Sequence, residues 1–100
     1  MKPVNTPNYL KVRTKQFALQ VIRVVDSLPK SMAAQVIGRQ LLRSALSVAA
    51  NYRAACRARS KPDFASKLGI VEEETDECLY WMEMLTDAKV TTEERLAALM

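Results

Sequence analysis

The sequence predicts an all-α protein, and three observations carry that prediction. Apolar residues make up 49% of the 100 residues, with only 2 glycines and 4 prolines to interrupt regular structure, a composition that favours helices. Apolar residues recur at steps of three and four through most of the chain, the period of an amphipathic helix. Serines and prolines gather at a few short separators, so consecutive helices fold back on one another. The expected architecture is an antiparallel up-and-down four-helix bundle, one domain over residues 1–100, with a long second helix and a short or truncated fourth.

Residues 1–9 hold Pro3 and Pro7 with Asn5 and Asn8 and read as an extended arm. From about residue 10 to 27, Phe17, Val21, Val24 and Leu28 form one helical row with Ala18, Ile22 and Val25 beside it. Pro29 ends this helix because proline disfavours a helical residue before it, and Ser31 can cap the next.

Residues 31–60 contain no proline and a single glycine, Gly38, and read as one helix of about seven turns or more. At about 100° per residue, Ala34, Ile37, Leu41, Ala45, Val48, Tyr52 and Ala55 share a sector roughly 80° wide, a core-facing stripe. Arg39, Arg43, Arg53 and Arg57 lie on the opposite side, with Leu46 and Ala50 among them. A positive row on a rigid rod suits a polyanion, of which nucleic acid is the commonest. A solvated face, or pairing with acids of a neighbouring subunit, explains the same pattern.

Ser60 is placed to cap a third helix, with Pro62 in its first turn and Asp63 complementing its positive end. Phe64, Leu68, Val71, Thr75, Cys78, Met82 and Leu85 follow alternating steps of four and three to about Asp87, the spacing of a bundle seam. Ile70, Tyr80, Trp81 and Met84 lie off that seam. Together with Leu46 they leave too much apolar surface for one buried face, and predict an oligomer interface. Thr91 or Thr92 opens a fourth helix with Glu93 and Glu94 in its first turn, continued by Leu96, Ala97, Leu99 and Met100. At about nine residues it is short for closing a bundle.

Net charge is +4, but eleven Lys or Arg face the single Asp26 up to Ser60, and four face ten acids after it. Such asymmetry can draw copies together as well as a ligand. Cys56 and Cys78 lack metal or redox spacing, and with no histidine neither a zinc set nor a near-neutral base can be completed. Both read as buried free thiols. No apolar run reaches signal-peptide or membrane-spanning length, so a cytoplasmic protein without membrane contact is expected. Glu72, Glu73, Glu74, Asp76 and Glu77 form the one dense carboxylate group, but di-metal bundles draw Glu-x-x-His from two helices. Ser44 and Ser47 have no histidine partner, and no nucleotide-binding loop or nucleophile elbow is present. No enzyme, metal or cofactor is predicted.

Arg39-Gln40-Leu41-Leu42-Arg43-Ser44-Ala45-Leu46-Ser47-Val48-Ala49-Ala50-Asn51-Tyr52, then Arg59-Ser60-Lys61-Pro62-Asp63-Phe64, then Leu68, Ile70 and Glu77, resembles the "four helix bundle protein" family. These are also called 23S ribosomal RNA intervening-sequence proteins, and their relatives include the accessory variability protein of diversity-generating retroelements. The family pattern runs QL-x-R-(S/A)-x-x-S-(I/V)-x-x-N, R-x-S-x-x-(E/D)-F, and L-x-I with a glutamate on the third helix. Leu10-Lys11-Val12 is similar to its LKV. Where many members read Asn-Ile-Ala-Glu-Gly, this chain reads Asn51-Tyr52-Arg53-Ala54-Ala55, and Arg13 stands where tryptophan is common. These departures mark a more basic centre.

The resemblance implies an up-and-down bundle assembling as a homopentamer, with a basic surface for nucleic acid and no established catalysis. Ser44, Ser47 and Asn51 would let helices approach and hydrogen-bond across, or contact a ligand. Glu77 would pair with an arginine of the second helix. The expected function is non-enzymatic RNA or DNA binding, RNA before DNA, through Arg39, Arg43, Arg53, Arg57 and Arg59. The alternative is a structural or adaptor oligomer whose arginines meet acids of the next subunit and whose Trp81 region receives another protein.

Overall fold

A computed structural model of the protein describes residues 6–97 and places four helices in order: α1 (Thr6–Asp26), α2 (Met32–Ala55), α3 (Lys61–Asp87) and α4 (Glu93–Ala97). Among the described residues there is no strand. α1 begins earlier than the sequence pattern suggested, because Pro7 suits a first turn, where its missing N–H is not needed and its fixed φ is already helical. Residues 6–9 are therefore helix rather than arm, and residues 1–5 of the expected arm lie outside the described residues. Ser31 caps α2, its hydroxyl accepting from the Ala34 N–H at 3.1 Å.

α2 stops short of the expected boundary. The N–H groups of Cys56, Arg57 and Ala58 turn in to the carbonyls of Tyr52, Ala54 and Ala55, a tightening last turn. Ser60 is extended, with φ −154°, and accepts from the Asp63 N–H at 3.1 Å. A residue committed to capping the next helix cannot also continue the last. The longest helix is thus α3, with 27 residues against 24 in α2.

The core joins Val21 of α1, Leu41, Ala45 and Val48 of α2, Cys78, Met82 and Leu85 of α3 and Leu96 of α4. Every member of the expected α2 stripe is buried except Ile37, which is half-buried. On α3 the expected seam is buried only at Cys78, Met82 and Leu85, while Phe64 and Thr75 are exposed. The reason is topological. α2 packs against both α1 and α3, which scarcely touch each other, and the molecule is flattened, 44 × 32 × 18 Å. The seam of α3 points partly toward α1, and it is buried only in the half where Cys78, Met82 and Leu85 join the core with Leu41, Ala45 and Val48 of α2 and Leu96 of α4. There Leu96 is 2% exposed, and the Thr92 hydroxyl accepts from the Arg95 N–H at 3.3 Å. Leu99 and Met100, expected to extend α4, lie outside the described residues. No described helix is long and apolar enough to cross a membrane.

Candidate nucleic-acid interface

The corner where α2 gives way to α3 concentrates the free positive charge. Arg53 stands in the last turn of α2, and Arg57 and Arg59 in the connection that follows. The Ser60 cap then starts α3 alongside, so Asp63 and Lys67 come opposite the arginines. A depression of about 370 Å³ results, lined by Ala50, Arg53, Ala54, Arg57, Arg59, Asp63 and Lys67. Ala50 and Ala54, one turn apart, line it without bulk, so a ligand backbone can approach closely.

The described residues give none of these three arginines an ion pair. Lys67 donates to Asp63 Oδ1 at 2.6 Å across one turn of α3. That hydrogen bond is the main reason the Asp63 carboxyl lies below its ordinary value. Partial desolvation opposes it, while the Lys67 charge and the Arg59 backbone N–H add to it.

The other two expected arginines are elsewhere. Arg43 lies 3.4 Å from Glu77 and 3.7 Å from Glu74, on the α3 side of α2. Its Nε also donates to Gln40 Oε1 at 3.4 Å. Glu77 and Glu74 are thus the two acids that hold Arg43. Arg39 sits fourteen positions before Arg53, roughly 20 Å along the helix axis, beyond the screening length of about 8–10 Å in ordinary salt. A single row on the helical wheel separates into a free cluster at one end, a paired arginine in the middle and a lone one toward the start.

Ser44 is fully buried between α2 and its neighbours, and its hydroxyl has no partner among the described residues. Asn51 Nδ2 donates to both the carbonyl and the hydroxyl of Ser47, each at 2.9 Å. These bonds stay within α2 instead of crossing to another helix, because a residue one turn back is nearer than any facing side chain. Leu46, Ile70 and Tyr80 are exposed, as an interface would require, while Trp81 and Met84 are half-buried. Trp81 packs onto the core, with Tyr80 edge-on to it at 5.1 Å. The sequence reading did not single out exposed Met32 and Val36, although one turn apart on the arginine side of α2 they form the start of an apolar patch. It also missed Lys67, whose signal was the i to i+4 spacing from Asp63.

Cys56 and Cys78 are free thiols. Burial, then the nearby charges of Glu74 and Glu77, push the Cys78 thiol up to about 12, with Arg43 opposing. Burial, then Cys56, raises Tyr52. Among the described residues no three His, Cys, Asp or Glu side chains are grouped to hold a metal ion.

The described residues form a small all-α protein, an antiparallel helical bundle with a cationic corner. Residues 10–100 match the 23S rRNA-intervening sequence protein family, and the chain belongs to it. It is similar to a protein of unknown function from the S23 ribosomal protein family of Bacteroides thetaiotaomicron, whose crystal structure was solved at 1.70 Å. The two share 32% sequence identity over 93% of this chain and 83% of that one, with a TM-score of 0.86. No curated protein matches.

Proposed function

We propose that this protein is a non-enzymatic nucleic-acid-binding module that grips the phosphodiester backbone at the α2–α3 corner. The observation that carries this reading is the set of three unpaired arginines, Arg53, Arg57 and Arg59, around one depression with small alanines in its wall. Guanidinium groups bind phosphate bidentately, and backbone contacts of this kind are largely sequence-independent. No aromatic side chain lines the depression, so base stacking is not part of the mode. Two free thiols suit a reduced, cytoplasmic setting. A homo-oligomer, a pentamer by the family resemblance, would set several such corners on one ring, with Leu46, Ile70 and Tyr80 on its contact surfaces.

The test is fluorescence anisotropy with a structured RNA and a matched DNA duplex at several salt concentrations. Three phosphate contacts per subunit give a log–log slope of about −2 to −3. Arg53→Glu with Arg57→Glu abolishes binding while helicity is retained; unchanged affinity removes the corner from the mechanism.

A second reading, a structural or adaptor oligomer, is favoured by the apolar side chains of Leu46, Ile70 and Tyr80 that the fold leaves exposed. It expects little affinity for either nucleic acid.

A further inference from the structure

The depression that holds the three free arginines also holds a carboxylate. Asp63 belongs there for a local reason, since an acid in the first turn complements the helix start and pairs with a lysine one turn on. Toward a bound phosphate, however, it is repulsive. A groove built for phosphate alone would be better without it, unless the ligand brings a donor for its oxygens. A phosphodiester chain carries one such hydroxyl in its sugar, the 2′-OH of ribose, and deoxyribose lacks it.

Asp63 has room to accept. Its Oδ1 receives Lys67 at 2.6 Å, but an ionised carboxylate offers about four acceptor sites. Its side chain is 39% exposed and lines the same depression as Arg53, Arg57 and Arg59. We propose that Asp63 makes this groove selective for ribose-phosphate over deoxyribose-phosphate chains, accepting a hydrogen bond from a 2′-hydroxyl while the arginines hold the flanking phosphates. This rests on the backbone-binding reading above. The hydrogen bond to a charged acceptor strengthens RNA binding, and the unanswered carboxylate weakens DNA binding, so both effects act on the ratio in the same direction.

The experiment compares oligouridylate with oligodeoxyuridylate of equal length, by anisotropy at low salt. The base is common to both, so its contacts cancel. Wild type prefers the ribose oligomer by roughly tenfold, the worth of about one charged hydrogen bond. Asp63→Ala raises affinity for the deoxyribose oligomer and brings the ratio close to one. Asp63→Asn keeps the size of the side chain and moves the ratio the same way by less. Lys67→Met weakens both complexes but keeps the ratio, because the carboxylate remains. A wild type that binds both oligomers alike, or Asp63 variants that keep the wild-type ratio, overturn the role of Asp63 and leave the backbone-binding corner standing. A wild type that binds neither overturns both.

Discussion

Gly69 stands on the outward side of α3, with nothing within 4 Å of where a Cβ would be. Glycine inside a helix costs about 0.5–1 kcal/mol relative to alanine. Gly69→Ala should therefore stabilise the fold by that amount and raise Tm by roughly 4 °C. Gly38 is the contrasting case. A Cβ there would meet Leu28 at 3.2 Å and Val25 at 3.3 Å, where the first helix and its link press on α2. Crowding offsets the gain in helix propensity, so Gly38→Ala leaves Tm level or lowers it. Thermal melts followed by circular dichroism decide both, and equal stabilisation by the two changes would show that the α1–α2 contact is slack. Cys78 gives a pH-dependent counterpart. Its thiol ionises near 8.5 in an unfolded chain and at about 12 when folded. Between those values the unfolded chain has lost a proton that the folded one keeps, so stability falls as pH rises, by up to about 1.4 kcal/mol per unit. Cys78→Ala is destabilising at neutral pH through lost packing, and the gap to wild type should narrow above about pH 9. A gap constant from pH 7 to 11 would show that the buried thiol is not linked to folding.

Ser60 joins the helical framework to the candidate site, because its cap both starts α3 and fixes where the arginine-bearing connection ends. Ser60→Ala should cost about 1 kcal/mol and weaken nucleic-acid binding as well, through the position of Arg59. Loss of stability without loss of affinity would separate the cap from the site. α4 can be tested in the same way. It is a single turn anchored by Leu96 in the core, with Arg95 donating to the Ser27 hydroxyl. Leu96→Ala should cost about 2–4 kcal/mol, and chemical denaturation would measure it. The α2 stripe was legible in the sequence because every turn repeats the same apolar side, and the caps at Ser31 and Ser60 were legible because their chemistry is local. The choice between Thr91 and Thr92 for α4 was settled only by the Thr92 hydroxyl accepting from the Arg95 N–H. The end of α2 was not legible. Arg57, Ala58 and Arg59 are ordinary helix formers, and only the demand of Ser60 for an extended backbone unwinds them. The groove was illegible for a related reason, since Lys67 meets Arg53 only after the chain has turned. Equally, no helical wheel shows that Arg43 is answered by Glu74 and Glu77, because that depends on the register of two helices.

The charges of the chain are divided between its parts, and two kinds of surface follow. Arg53, Arg57 and Arg59 make one corner positive, while Glu72, Glu73, Asp76 and Glu83 are exposed along α3. The core between them is apolar, and the three ion pairs among the described residues all involve partly exposed groups, which contribute little to stability. Salt should therefore act on binding and hardly on folding. Between low and moderate ionic strength, Tm should move by no more than a few degrees, whereas nucleic-acid affinity falls steeply. Assembly discriminates the two functional readings. An interface through Leu46, Ile70 and Tyr80 is apolar, so sedimentation velocity should find the oligomer intact in high salt and broken by Tyr80→Glu. An assembly that dissociates as salt rises would instead place the arginines of one subunit on the α3 acids of the next, leaving none free for phosphate, and would favour the adaptor.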